Sequence, residues 1–406
     1  MEASLYVHVP FCAGACDYCD FYSIAVKGED PRLGRYVEVL LVEAKRLFEK
    51  IRPDSVPTLY IGGGTPSVLG AAGIGRLLTG LSGLISAFAP PPIEVTVEAN
   101  PESCDEAFLA AAHQSGVTRL SLGVQTFHEP SRSAVRRIGG ATDRLLALAA
   151  GYFSGSLSVD LISGLPFQDE KVLLEDIAAV LSYAPAHVSL YALTLERETA
   201  LAAPLPHGDE ADRLWLLGRD ALEKAGYRQY EISNFCLDGK ESRHNIRYWC
   251  MRNWLALGPA ASATVINDET GNGIRYTIPP DVDRWLGAGG SGFSEDGGYK
   301  PLIEELDKAS LIKETILMGF RYTEGPDEDL FRLRFGRSIE DRIPKTIAAW
   351  RSRGLFRNDR CALTKSGLLL LNPFLIGAFN ELDASLWPPE KRGLQKYVAS
   401  CSIDVI

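Results

Sequence analysis

The sequence predicts an α/β protein, an open or partial barrel of six βα units followed by a small, mainly helical C-terminal domain. Three observations predict it. Short β-rich apolar runs alternate with helical patterns up to residue 230, polar residues of catalytic type follow those runs, and a glycine-rich stretch precedes a second set of helical patterns.

Strand candidates occupy residues 5–9, 58–61, 94–98, 119–123, 157–161 and 187–191. Helix candidates lie between and after them, at residues 36–50, 74–88, 105–114, 173–182 and 209–225. A repeated strand-then-helix order implies a parallel sheet covered by helices. Just past the strands stand Gly62-Gly63-Gly64-Thr65, Glu98-Ala99-Asn100-Pro101, Gly123-Val124-Gln125 and Gly164-Leu165-Pro166. Barrels and doubly wound sheets place their working residues at these carboxyl ends. Residues 1–235 therefore read as the barrel, and residues 236–299 as a connecting region ending in a linker, since 286–299 holds six glycines. Helical patterns at 304–320 and 339–354 define a domain over residues 300–380, and residues 381–406 form a tail without recognisable chemistry.

Composition narrows the function. Of 406 residues, 46% are hydrophobic and 23% charged, the balance of a globular chain. A net charge of −10 argues against a nucleic-acid partner, which needs a cationic face. No basic-then-apolar leader is visible at the N-terminus, and no apolar run is expected to reach the roughly 18 residues of a membrane span. A soluble cytoplasmic protein without stable membrane insertion is expected. Eight cysteines are too few for a disulfide scaffold. In a reducing compartment, clustered thiols hold metal or do redox chemistry.

Three of them cluster as Cys12-Ala13-Gly14-Ala15-Cys16-Asp17-Tyr18-Cys19, in a loop after the first strand. Three thiolates can each bind one iron of a 4Fe–4S cube, leaving the fourth iron open to chelate a substrate or cofactor. Zinc on three cysteines and a histidine is the competing reading, and would make the chain a metal-stabilised binding module. The triple glycine alone is equally well explained by a tight strand-to-helix turn. Cys104, Cys236, Cys250, Cys361 and Cys401 are scattered and read as ordinary buried thiols.

The cysteine loop, together with Gly62-Gly63-Gly64-Thr65-Pro66 after the second strand, resembles the radical S-adenosylmethionine (SAM) superfamily. The chain is similar to the branch that contains oxygen-independent coproporphyrinogen III oxidases and HemW heme chaperones. The motifs are Tyr6-Val7-His8-Val9-Pro10-Phe11, Val97-Glu98-Ala99-Asn100-Pro101, Ser121-Leu122-Gly123-Val124-Gln125-Thr126-Phe127, Val159-Asp160-Leu161-Ile162-Ser163-Gly164-Leu165-Pro166 and His244-Asn245-Ile246-Arg247-Tyr248-Trp249. The resemblance implies a partial (β/α)6 radical-SAM-type barrel with a 4Fe–4S cluster on Cys12, Cys16 and Cys19. It implies SAM contacts at Tyr6, Tyr18, Gly63, Gly64, Thr65, Glu98, Gln125, Arg137 and Asp160. The roles are chemically sensible: Arg137 can fork onto a carboxylate, and Glu98 and Asp160 can accept from hydroxyls or an amine. Each carboxylate taken singly could equally cap the next helix.

The oxidases of this branch carry another cysteine two positions after the third ligand, where this chain has Phe21, and an N-terminal extension where this chain starts its first strand. Both differences point to the chaperones. The resemblance further implies heme binding at His244. Without it, a histidine beside two aromatics reads as a packed, hydrogen-bonded core residue. The relatives' downstream histidine is absent, the chain having Gly258-Pro259-Ala260-Ala261-Ser262-Ala263, and an Arg-x-x-Asn pattern becomes Arg275-Tyr276-Thr277-Ile278. The expected function is a heme chaperone carrying a 4Fe–4S cluster, SAM and heme cargo, with a heme acceptor protein and an electron donor as partners. The alternatives are an oxidase that decarboxylates coproporphyrinogen through a 5′-deoxyadenosyl radical, or another radical SAM enzyme of tetrapyrroles.

Overall fold

Six strands run parallel in chain order: β1 (Ser4–Val9), β2 (Thr58–Gly63), β3 (Glu94–Ala99), β4 (Arg119–Gln125), β5 (Leu157–Ser163) and β6 (His187–Ala192). Every residue of β1 is buried, as expected of a parallel strand covered on both faces. The structure, a computed structural model, describes residues 1–28, 30–195, 205–206, 208–291 and 299–386. All six strands begin within one residue of the expected positions. β1 ends at Val9 as expected, and the other five run one or two residues further, because the turns at their ends are still extended backbone.

The outer layer is formed by amphipathic helices whose starts are capped as the sequence suggests. Asp105 accepts from the Phe108 N–H at 2.8 Å, and Asp169 from the Val172 N–H at 2.9 Å. Helix Pro31–Ile51 buries Tyr36, Val37, Leu40, Leu47 and Phe48 on the sheet. The segment Pro66–Ser86 corrects one expectation, since by length and composition it is apolar enough to cross a membrane. Arg76 is its one charged residue, because small uncharged residues, Ala72, Thr79, Ser82, Gly83 and Ser86, take the rest of its exposed face. The helix buries Ile74, Leu77, Leu78, Leu81 and Ile85.

The sheet is larger than the barrel. On one side, β7 (Arg228–Gln229) and β8 (Asn234–Cys236) extend it antiparallel past β6. On the other, β9 (Trp254–Leu257) pairs parallel to β1, and β10 (Ser262–Ile266), β11 (Gly273–Thr277) and β12 (Leu302–Leu306) follow antiparallel. The result is a twelve-stranded sheet in which β1 meets β9 instead of β6, so the barrel stays open. This corrects two expectations. Among the described residues, 236–299 are not a mere connection but supply three strands and two helices, and residues 304–306, at the start of the expected helix, belong to a strand. Alternating short runs such as these carry weak periodicity, and only pairing with a neighbour fixes them as strands.

A second core closes the C-terminal part, with Phe320, Phe331, Phe356 and Phe374 fully buried. Its helices include Lys308–Gly319, Pro344–Ser352 and Leu371–Leu386. The pattern read at 339–354 is interrupted after Arg342, where Pro344 starts a new helix. Residues 292–298 of the expected linker and 387–406 of the expected tail lie outside the described residues.

Candidate cofactor site at the barrel mouth

The first cysteine sits on a two-residue strand, Phe11–Cys12, paired in parallel with Ile24–Ala25, so that the cysteine loop is tied at both ends. His8 secures the exit of the loop: its Nε2–H donates to the Tyr22 carbonyl at 2.9 Å, leaving Nδ1 to accept from the Tyr6 hydroxyl at 3.0 Å. The Thr65 hydroxyl donates to Cys12 Sγ at 3.3 Å, and Arg137 Nη1 to Cys16 Sγ at 3.8 Å. Burial raises the Cys12 thiol and pushes Cys19 up to about 11, so neither ionises readily without a metal.

Glycines let the second strand end approach this loop. A Cβ on Gly64 would stand 2.6 Å from the Phe11 carbonyl oxygen and 3.0 Å from Cys12 Sγ, and Gly63 has φ +107°. No other residue fits there, which decides between the two readings of the triple glycine: it is a close approach as well as a turn.

The strand ends then converge. Glu98 accepts from the Tyr60 hydroxyl at 2.6 Å and the Gly63 N–H at 3.2 Å. Burial pushes its carboxyl up to about 7, opposed by the Tyr60 bond. Asp160 accepts from the Ser121 hydroxyl at 3.1 Å, and burial raises it also. Neither carboxylate caps a helix. Arg137 Nη2 donates to the Gly123 carbonyl at 2.7 Å and lies 3.6 Å from Glu102. Gln125 is held at φ +67° where β4 shifts register against β5, and its Oε1 is buried without a hydrogen-bond partner. A strained backbone presenting an unsatisfied acceptor is the mark of a site built for a ligand.

Of the residues implied for cluster and SAM, all but Tyr6 line one cavity of about 2490 Å³. Tyr6 stands one layer behind, with its hydroxyl spent on His8, so it positions the loop and does not touch the cavity. Phe21 is 45% exposed at the same mouth. Glu102 and Tyr60 were missed by sequence reasoning, and Asn100 was singled out only as part of the turn after β3. Asn100 and Glu102 lie in the turn after Glu98, and Asn100 Nδ2 donates to Thr65 at 2.7 Å. Position just past a strand end was the available signal.

His244 is a correction. It is 1% exposed and absent from the cavity wall. Its Nδ1 bonds the Thr58 hydroxyl at 2.8 Å and its Nε2 the Tyr248 hydroxyl at 2.9 Å. Burial, helped by nearby Arg247, lowers its pKa to about 3. Helix Arg243–Trp249, capped by Glu94 on the Arg243 and His244 N–H groups, plugs the barrel floor with this side chain. With both ring nitrogens engaged, His244 has no lone pair to offer heme iron.

The donor set fits an iron–sulfur cube better than a single ion. Among the described residues no three His, Cys, Asp or Glu side chains come close enough to share one metal ion. A cube places each thiolate on a different iron and so needs wider spacing.

The radical SAM superfamily profile matches residues 6–180, and the HemN C-terminal domain profile matches residues 306–370. The heme chaperone HemW of Buchnera aphidicola (subsp. Acyrthosiphon pisum) is 31% identical over 383 residues, covering 92% of this chain and 97% of that protein. The HemW of Lactococcus lactis is 33% identical over 371 residues, covering 88% and 91%. The mitochondrial radical S-adenosyl methionine domain-containing protein 1 of Bos taurus is 33% identical over 407 residues, covering 94% and 88%. Coproporphyrinogen III oxidase (HemN) from Escherichia coli shares the fold, with a TM-score of 0.72 at 20% identity over 93% of this chain and 90% of that one. Cysteine loop, strand-end constellation and similarity over nearly the whole length agree: this chain belongs to the radical SAM superfamily, in the family of HemW and radical S-adenosyl methionine domain-containing protein 1.

Proposed function

We propose that the chain is a cytoplasmic heme chaperone that carries a 4Fe–4S cluster on Cys12, Cys16 and Cys19, holds SAM beside it, and takes up heme for delivery to an acceptor protein. The observation that carries this reading is that one cavity joins the cysteine loop, the strand ends and the C-terminal domain. At about 2490 Å³ it exceeds the roughly 300–1,000 Å³ of an ordinary small-molecule site, leaving room for a cargo beside the nucleotide. Similarity to proteins named heme chaperones supports heme as that cargo.

The bound cluster supplies one-electron chemistry, fed by an electron donor. This chain's residues do the placing. Arg137 would orient a carboxylate, the Gly63 and Gly64 backbone would approach the methionine end, and Gln125 Oε1, buried without a hydrogen-bond partner, would accept from the nucleotide. Glu98 and Asp160 accept from hydroxyl or amine groups.

Anaerobic reconstitution followed by heme titration at the Soret band tests the proposal. Saturable heme uptake by brown, cluster-loaded protein is expected, and absence of saturation rejects the chaperone role. Stoichiometric carbon dioxide release from coproporphyrinogen III would instead make the chain an oxidase.

A further inference from the structure

The three cysteines of the loop stand in unequal surroundings. Cys12 is buried, whereas Cys16 and Cys19 are half-buried. Cys16 meets the Arg137 guanidinium and the Tyr18 hydroxyl, and Cys19 the Phe21 N–H. At Cys12 the Thr65 hydroxyl donates to Sγ at 3.3 Å, with the Ser23 hydroxyl beside it. Thr65 is buried, and its N–H donates to the Phe11 carbonyl at 2.7 Å. The Gly64 N–H donates likewise to Val9 at 2.8 Å, so the backbone alone already ties this turn to the loop. The side-chain bond to sulfur is not needed for that.

A hydroxyl has one proton to give. Thr65 Oγ1 accepts from Asn100 Nδ2 at 2.7 Å, which leaves its own proton for the sulfur. Accepting one bond while donating another polarises the hydroxyl and strengthens both. Asn100 is itself locked in the turn after β3. Its carbonyl accepts from the Ser103 and Cys104 N–H groups at 3.1 and 3.0 Å, and its N–H donates to Ser67 Oγ at 3.1 Å. Ser67 Oγ and Ser103 Oγ are bonded at 2.7 Å. A Cβ on Gly123 would stand 2.5 Å from Asn100 Oδ1, so the glycine of β4 leaves the amide its place.

We infer that Asn100 and Thr65 tune the reduction potential of the cluster through the Cys12 sulfur. The inference rests on the 4Fe–4S reading of the cysteine loop and gives a role to residues behind the ligands. Reduction brings one electron, taking the cube from the 2+ to the 1+ state, with no bond made or broken in the protein. The added charge spreads onto the thiolates. A donor at sulfur therefore stabilises the reduced state more than the oxidised one and raises the potential. In this role Thr65 and Asn100 are positioning residues, acting through Cys12.

The test is a potentiometric titration of reconstituted full-length protein without SAM, read by the electron paramagnetic resonance of the 1+ cube. Thr65→Val removes the hydroxyl at nearly equal size. It should shift the reduction equilibrium about tenfold towards the oxidised cube, a midpoint lower by ~59 mV for one electron. Asn100→Leu leaves the hydroxyl unpolarised and should shift it the same way by about threefold. Thr65→Ser keeps the donor and should stay within about twofold of the unaltered protein. Omitting SAM separates this readout from any contact of Thr65 with the nucleotide. An unchanged midpoint in Thr65→Val would overturn the inference, as would a Thr65→Ser midpoint as low as that of Thr65→Val. If Thr65→Val takes up no cube, Asn100→Leu decides, and an unchanged midpoint there rejects the inference. Loss of the cube from both variants would overturn it too, since the pair would then serve assembly instead of tuning. Absence of a cube from the unaltered chain would instead bring down the cluster reading itself.

Discussion

The two halves of the barrel interior are built on opposite plans. Under β1–β3 the space is filled by aromatic rings: Tyr60 lies 5.0 Å from His244, His244 4.8 Å from Tyr248, and Tyr6 6.0 Å from His8, centroid to centroid. Their polar atoms are paired with one another or with Thr58, Glu98 and Tyr22. Under β4–β6 the inward positions carry Ser121, Gly123, Ser158 and Ser189, and the space is open to the cavity. The filled half is a support that fixes the cysteine loop through His8. The hollow half is room for ligand. A functional barrel needs both, since a rigid first shell requires packing behind it and a ligand requires its absence.

The comparison can be broken most completely at the loop that the filled half supports. Cys12→Ala, Cys16→Ala or Cys19→Ala should each abolish the brown chromophore, with iron and sulfide falling from four of each per chain towards zero. Retention of a full cube in any of them would remove the basis of the site.

The filled half should next prove necessary for stability. His8→Ala deletes a buried ring and two hydrogen bonds, and should cost about 2–4 kcal/mol in urea unfolding of the cluster-free protein. A cost within a few tenths of a kcal/mol would show that the loop does not depend on it.

The same half carries a pH signature. His8 and His244 are lowered by burial to about 4 and about 3. Unfolded histidine titrates near ~6.5, so their stabilisation is complete above that pH and is lost as pH falls through 4 and 3. Glu98, raised to about 7 chiefly by burial, acts oppositely. Its contribution is complete below an unfolded pKa of about 4.3 and is lost as pH rises through 7. In cluster-free protein, Glu98→Gln should therefore flatten the decline between about pH 4.5 and 7 while leaving the acid limb intact. Loss of the acid limb in that variant would contradict the assignment.

The smallest effect sharpens the contrast. Ser189→Leu fills the hollow half, and should weaken SAM binding about tenfold in anaerobic calorimetry while costing only about 1–3 kcal/mol of stability. Equal SAM affinity would show that the nucleotide and its neighbours leave this space unused.

Taken alone, the sequence determined the six parallel strands, the cysteine loop and the residues at the strand ends. These are local signals, because spacing such as Cys12-x3-Cys16-x2-Cys19 and a polar turn after an apolar run are legible within a few residues. Tertiary structure decided the rest. It turned His244 inward as a floor plug with both nitrogens engaged, set Tyr6 behind His8, and drew the strands between 254 and 277 and residues 302–306 into the sheet. It also opposed residues 368–371 to the barrel mouth. Each of these depends on which distant segment packs against which, and the pairing of remote surfaces leaves no trace in the periodicity of either one.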